Sequence, residues 1–399
     1  MIPESVRNSA NHPLLVVYWP RLGPYHAARI QAAAGYLAER GWRLVALEMF
    51  DGRDDYLWER AGLNENIERV TLFPRLPAVK ISKFALQRAI WKHLDHLRPQ
   101  AIAINGYSSW DAWFLLAWCR AKGALSILMS DSKWDDAPRK SVIETTKRWL
   151  VGLYGSALCA GSLHRAYLEN LGMKPDKIFD GYDAVDNQFF IEQSDHVRQA
   201  PDSYRTLPGL EDQRPYFLAS GRFLRRKNFS VLFRAYAAYK AACQSLGWDA
   251  WRLVLLGDGP ERVFLLDDIR KLDIQKDVTL AGIQTFHNLP AYYALASAFI
   301  HPPLQDQWGL VVNEAMASGV PVLVSARAGC AADLIEEGVE GFTFDPQDPS
   351  NLVCLMSHMS CGQIDLKKMG SAARRKISAW GVERFAQNLH RALCAGLGE

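Results

Sequence analysis

The chain contains no Cys-x-x-Cys pair. Its seven cysteines, at 119, 159, 243, 330, 354, 361 and 394, are odd in number and widely spaced. That excludes a disulfide framework or a zinc finger as the organising device and fits a reducing cytoplasm. There is no run approaching the ~18–20 apolar residues of a membrane span. The opening stretch, MIPESVRNSANHPLLVVYWP, has no cationic start followed by a long apolar run, so no secretory leader is expected. Short-period repeats and low-complexity tracts are missing as well. Charge is nearly balanced: 46 Lys and Arg against 43 Asp and Glu leave a net +3. That total does not suggest a nucleic-acid partner, although it leaves local basic faces open.

What is present is ordinary globular material. The chain has 399 residues, 49% apolar and 22% charged, with a generous 13 tryptophans. At ~100–200 residues per domain this allows two or three domains with an ample core. Short apolar runs alternate with helix-length amphipathic segments. LLVVYW (14–19), RLVALEMF (43–50), RVTLF (69–73), AIAIN (101–105), LSILMS (125–130) and ALCAG (157–161) read as strands, with a helix over about 27–40. Continuous rather than alternating apolar runs mark strands buried on both faces, hence a parallel, doubly wound sheet. The stretch 191–214 is polar, holds two prolines and shows no period, so it reads as a linker. Beyond it the alternation restarts at 215–220, 252–257, 277–282, 298–302 and 320–325. The expectation is an α/β chain of two Rossmann-like domains, 1–190 and 215–379, facing each other across a cleft. The last helix, 380–399, is free to pack on either. Ligands of such sheets bind at strand carboxyl ends, so residues just after strands carry the functional interest.

Four such places stand out. LGPYHAAR follows the first strand, with Gly23 in the turn and His26 near the helix start. It is either a backbone anion or hydroxyl site or a plain strand–helix turn. SDSKWDDAPRK follows 125–130. There Asp131, first after the strand, is the acid aimed at the ligand edge, while Asp135 and Asp136 read as solvated. ASGRFLRRKN follows 215–220, with Gly221 in the turn and four cations within 222–227. Arg222 and Lys227 are placed to converge on a phosphate, one as a fork and one as a point charge. Last is DQWGLVVNEAMASGVPV (306–322). It predicts a loop acid, Asp306, then a helix over about 309–318 opening with the amides of Gly309, Leu310 and Val311, then an acid on that helix, Glu314. An anion docks on helix-opening amides, and two flanking carboxylates accept from polyol hydroxyls. This suits a sugar joined to a nucleotide through a diphosphate. The plainer alternative is a dipole-stabilising Asp306 and a solvated Glu314.

These motifs, with LVLLGDGPER, VTLAG, AYYALASAFIHP and EGVEGFTFDPQD in the same order, resemble the GT-B glycosyltransferases of the large retaining family 4. The resemblance covers nearly the whole chain and is strongest in the second half. In the first half LGPYHAAR and the strand-like 176–190 carry it. It implies transfer of a sugar from a nucleotide-diphosphate donor with no metal cofactor. Glu314 stands at the second acid of the family's E-x7-E motif, on the donor ribose, and Asp306 at the first, near the donor sugar. Arg222 and Lys227 stand at the pair on the diphosphate. Gly23, Gly221 and the amides of Gly309, Leu310 and Val311 line the donor. His26 and Asp131 are acceptor- or sugar-side candidates. Two departures are evident: Asp306 is one methylene shorter than the usual glutamate, and Ser130 and Asp131 stand where many relatives have a histidine. A catalytically impaired sugar-nucleotide-binding protein of the same fold is the alternative reading.

The acceptor is a sugar, a lipid-linked molecule or a small molecule. The basic amphipathic stretch 75–99 interleaves Ile81, Phe84, Trp91, Leu94 and Leu97 with Lys80, Lys83, Arg88 and Lys92. It is either a weak membrane-surface contact or a surface helix with a solvated cationic face. The location expected is accordingly the cytoplasm or the inner face of the membrane. Trp110, Trp113, Trp118 and Trp134 read as acceptor-stacking rings or, more ordinarily, as core.

Overall fold

The computed structural model describes residues 12–51, 62–75 and 81–398. Lys80, counted above in the basic stretch, lies outside the described residues. The chain divides into two units. One runs to Val185 and resumes at Gly381, and the other spans Asp186–Trp380.

The first unit is built on seven parallel strands: β1 (Leu14–Trp19), β2 (Arg43–Phe50), β3 (Glu68–Phe73), β4 (Ala101–Asn105), β5 (Leu125–Ser130), β6 (Ser156–Cys159) and β7 (Ile178–Phe179), in the order β3-β2-β1-β4-β5-β6-β7. Val16 of β1 pairs with Val45 on one side and Ile102 on the other. The helices are α1 (Pro24–Ala38), α2 (Lys83–Leu97), α3 (Trp110–Lys122), α4 (Ser141–Val151) and α5 (Ser162–Asn170). Crossovers in such sheets are right-handed. The connections through α2, α3 and α4 therefore lie on one face, and α1, which crosses in the opposite direction, lies on the other. The two cores agree. One gathers Leu86, Ile90 and Leu94 of α2 with Leu115 of α3 against Val16 and Ile104, and the other gathers Ile30 and Leu37 of α1 against Leu15 and Ala103. Every residue of β1 is buried, as its unbroken apolar run requires.

The second unit repeats the plan with six parallel strands: β8 (Tyr216–Ser220), β9 (Arg252–Leu256), β10 (Val278–Gly282), β11 (Ala298–His301), β12 (Val322–Ser325) and β13 (Gly341–Phe344), in the order β10-β9-β8-β11-β12-β13. Its helices are α6 (Asn187–Gln199), α7 (Phe229–Ser245), α8 (Arg262–Lys271), α9 (Leu289–Leu295), α10 (Leu310–Ala317), α11 (Ala331–Leu334), α12 (Pro349–Ser360) and α13 (Leu366–Ile377). The last helix, α14 (Val382–Leu397), packs on the first unit through Phe385, Leu389 and Leu393, beside α1.

Three readings need correction. The stretch read as a linker, 191–214, begins inside α6, which runs to Gln199, continues through a short 3-10 turn at Pro201–Tyr204 and a loop, and belongs to the second unit. The buried stripe of α6 is Asn187, Phe190, Ser194 and Val197. Two of those four are polar, which hides a regular helical spacing from a hydrophobicity reading. The strand-like 176–190 is strand only at Ile178–Phe179 before the chain turns into α6. The sixth strand of the second sheet, β13, was not anticipated. Gly341 brings its backbone against Val322 so closely that a Cβ there would collide, and a glycine-led strand of four residues carries little propensity signal.

Candidate functional site

In each sheet the strand order reverses once, between β1 and β4 and between β8 and β11. Loops leaving the carboxyl ends of those strands diverge and open a crevice. In the second unit the β8 loop carries Gly221, Arg222 and Lys227, and the β11 loop carries Asp306. The two loops are tied by Leu304 N donating to Arg226 O at 2.9 Å. Behind the β8 loop, the Gly257–Gly259 turn after β9 packs backbone to backbone. Phe223 N donates to Asp258 O at 2.8 Å and Glu261 N to Phe223 O at 3.1 Å. A Cβ at Gly257 would strike the Gly221 carbonyl, and one at Gly259 the Phe223 carbonyl. So LLGDGPER, which by itself reads as a turn, is the platform that shapes the cationic loop.

Lys227 Nζ lies 2.6 Å from Asp306 Oδ2, and His301 Nε2 lies 2.9 Å from the same oxygen. A carboxylate oxygen accepts only, so both nitrogens donate. Burial by itself would raise the Asp306 pKa. Lys227 and His301 more than offset it and hold the carboxyl well below the usual range. Burial depresses His301, which is 1% exposed, and Asp306 only partly restores it. The sequence reading set Lys227 on a phosphate and Asp306 on a sugar. The structure brings them together as an ion pair, leaving two of the three ammonium protons for a ligand. Asp306 is therefore no helix-dipole acid. Its backbone is pinned by Gly329 N donating to Asp306 O at 3.1 Å.

Helix α10 opens at Leu310 with Gly309 as its N-cap, at φ 109°. A Cβ at Gly309 would sit 3.0 Å from His301 Nε2. Gly309→Ala is therefore expected to destabilise the protein by about 1–3 kcal/mol through left-handed strain, and to disturb the His301–Asp306 contact. A thermal scan with unchanged melting temperature would refute this. Glu314 is 1% exposed and accepts from Tyr293 Oη at 2.6 Å; the solvated alternative is excluded. Tyr293 stacks toward Phe299 (5.6 Å) and Phe299 on His301 (6.4 Å), so the two acids are joined by one ring stack. Arg222 is half-buried in its turn, whereas Arg225 and Arg226 are exposed. His301 and Tyr293 were missed. The available signal was a histidine closing an otherwise apolar strand, AFIH.

The first unit has its own polar cluster at the corresponding edge. Gly23 caps α1, and its N–H donates to His26 Nδ1 at 3.0 Å. Nδ1 therefore carries no proton. Burial, helped by Arg29, pushes the His26 pKa down to about 3, so the ring is neutral at physiological pH. His26 packs on Trp19 at 4.8 Å. Trp19 Nε1 and Asn105 Nδ2 both donate to Tyr182 Oη, at 2.9 and 2.6 Å. Arg29, 1% exposed, donates to Ala184 O at 2.8 Å and pairs with Asp183 at 3.3 Å. Asp131 lies within the electrostatic reach of Asp183. Burial first, and Asp183 second, push its pKa up to about 7. Asp135 pairs with the buried Lys133 at 2.6 Å. Because the folded state binds the Asp131 proton more tightly than the unfolded chain, stability falls as pH rises from about 4 toward 7. Asp131→Asn should remove that fall, raising the melting temperature at pH 8 by about 3–6 °C and leaving pH 4 nearly unchanged. Parallel shifts at both pH values would refute it.

Residues 202–376 match the family model for glycosyl transferases group 1. The sulfoquinovosyl transferase SQD2 of Arabidopsis thaliana is 34% identical over 128 residues, 31% of this chain and 24% of that protein. A D-inositol 3-phosphate glycosyltransferase of Nocardiopsis dassonvillei is 30% identical over 188 residues, 45% of this chain and 43% of its own length. The chain thus spans less than half of each of these relatives. Structural likeness extends end to end. Anabaena Alr3699/HepE in complex with UDP superposes with a TM-score of 0.70 at 17% identity, covering 96% of this chain and 99% of that one. A glycosyltransferase from Rickettsia africae superposes with a TM-score of 0.72 at 14% identity over 97% and 99%. At those identities the likeness is one of fold. Two parallel Rossmann-like sheets give the chain the GT-B fold, and the stretch that matches the model for glycosyl transferases group 1, residues 202–376, carries Lys227, Asp306 and Glu314.

Proposed function

We propose that the protein is a retaining glycosyltransferase that moves a sugar from a nucleoside-diphosphate donor to an acceptor hydroxyl, in polysaccharide, glycolipid or glycoside synthesis. The observation that carries this reading is the ion pair of Lys227 with Asp306 at the β8/β11 reversal, one helix from the buried Glu314. The free donors of Lys227 and the guanidinium of Arg222 hold the diphosphate and stabilise it as it leaves. This is preorganised electrostatics worth ~10²–10³ in rate for a single donor group. The protein's own cations neutralise the leaving group, so the reading assigns no metal. Glu314 takes the ribose hydroxyls, with Tyr293 holding its other face. The acceptor oxygen attacks on the side the diphosphate leaves, and a donor phosphate oxygen takes its proton. His26 and Asp131 are assigned to the sugar or acceptor side. That none of the seven cysteines is joined in a disulfide fits a cytoplasmic site of action.

UDP is the first base to test, because the Anabaena structure is described in complex with UDP-glucose. The experiment is a thermal-shift panel of UDP, GDP, ADP and dTDP and their sugars, followed by product NMR. One nucleotide should stabilise the protein, and the product should keep the donor's anomeric configuration. An inverted product would overturn the retaining assignment. Donor binding without transfer or hydrolysis would favour the sugar-nucleotide binder, a reading that the Lys227–Asp306 contact also fits.

A further inference from the structure

The first unit carries an apolar surface that the donor chemistry does not use. Of the eleven residues of α4, only Val151 is buried. An isolated helix of that length is marginal in water, and helices in proteins owe their stability to a packed apolar face. Yet α4 has such a face: Val142, Trp149 and Leu150 at helical spacing, with Val142 80% and Trp149 65% exposed. Between α3 and α4 lies a groove of about 290 Å³ lined by Trp113, Leu116, Trp149, Leu150 and Leu153, with Arg120 on its wall. The surface continues across α3 to α2. Trp110 meets Trp113 edge-on at 4.9 Å, Lys83 Nζ sits 3.9 Å over the Trp110 ring, and Phe84 is 74% exposed beside it. Trp110 and Trp113 are therefore not core, contrary to the more ordinary sequence reading; Trp118 is. Phe84, Trp110, Val142 and Ile143 all lie in the first turn of their helices. In a parallel sheet that places them along its carboxyl edge.

Charge decides what covers this face. The segments 83–97, 110–122 and 140–151 hold eight lysines and arginines and three acids, in a chain whose net charge is only +3. All three acids are engaged. Asp95 pairs with Lys122 at 2.9 Å, Glu144 with Lys147 at 2.9 Å and Arg139 at 3.2 Å, and Asp111 is buried, accepting from Tyr18 at 2.8 Å. A second copy of the chain, docked symmetrically, would set this positive surface against itself. Exposed tryptophans among lysines and arginines instead suit the boundary between lipid head groups and acyl chains. We infer that the outward face of α2, α3 and α4, centred on Trp149 and Val142, docks on a membrane surface rich in anionic lipid. The basic helix 83–97 joins it through Lys83, Phe84, Arg88 and Lys92. Its other apolar residues, Trp91, Leu94 and Leu97, pack inward on the core.

The inference stands whether or not the transferase reading does, because its test needs no donor. The whole chain is co-sedimented with vesicles of phosphatidylcholine containing phosphatidylglycerol, and with phosphatidylcholine alone. Binding to the anionic vesicles, weakened by salt, is expected. Val142→Ser with Trp149→Ser, both at exposed positions that leave the core intact, should lower partitioning roughly tenfold or more, as should Lys140→Glu with Arg148→Glu. Circular dichroism melting confirms that the variants fold. No sedimentation with anionic vesicles, or sedimentation unaffected by either pair, overturns the inference. So does a concentration-dependent dimer abolished by Trp149→Ser, which would assign the face to a second copy.

Discussion

Lys227→Met should reduce transfer by at least ~10²-fold, the scale for removing one preorganised charge from a leaving group, and should also destabilise the fold. The ammonium lies 2.6 Å from Asp306 in a site where the two side chains are 15% and 12% exposed. Removing one partner of such a buried pair leaves an uncompensated carboxylate, at about 3–5 kcal/mol. Adding Asp306→Asn to Lys227→Met removes the stranded charge, so the double variant should regain most of the lost melting temperature and none of the turnover. That split separates a lysine needed for folding from one needed for chemistry. A double variant as unstable as the single one would show that the pair is not energetically coupled, and full turnover in Lys227→Met would remove the lysine from the mechanism. The pH dependence has a fixed sign. Because the folded Asp306 pKa lies below the unfolded value, the pair's contribution is complete above about pH 4 and is lost only as pH falls through the folded value. Activity lost between pH 6 and 5 would have to come from another group.

Arg222→Ala is expected to act differently. Arg222 is half-buried in a loop whose backbone is held independently, by Phe223 N on Asp258 O and by the close glycine platform beneath it. Truncation should therefore cost little stability, within about 1 kcal/mol, while turnover falls by ~10²–10³-fold. Arg222→Lys should recover only part, because a point charge does not reproduce the bidentate fork on a diphosphate. The readouts are single-turnover rate, melting temperature and the affinity for the nucleoside diphosphate. Unchanged turnover would sink the assignment. A large loss of melting temperature would recast Arg222 as a structural residue.

Much of this architecture was legible because burial on both faces leaves a direct trace in the sequence. The runs 14–19, 43–50, 101–105 and 125–130 coincide with β1, β2, β4 and β5, since each strand must be apolar throughout to sit between two helix layers. The loops after β8 and β11 were identifiable for a related reason: charge directly following an apolar strand has few structural uses. Legibility failed where a polar residue does an apolar residue's job. Asn187 and Ser194 in the buried stripe of α6 made a helix look like a linker. His301 at the end of β11 looked like the close of a strand and is a ligand of Asp306. Tryptophans misled in the opposite direction, because Trp110, Trp113 and Trp134 face outward despite their hydrophobicity.

By itself, then, the sequence determined the α/β class, the two sheets, the strand ends that bear function and the identity of the charged residues there, because periodicity and composition are local properties. Only the tertiary structure decided their partners. It set Lys227 and His301 on a single oxygen of Asp306, buried Glu314 against Tyr293, and raised the Asp131 pKa by burying it and, second, by bringing up Asp183, 52 positions away in the chain. The physical reason is that pairing and desolvation depend on distance in space. Residues far apart in sequence meet where the strand order reverses, and no local pattern records which of them will share a proton or a charge.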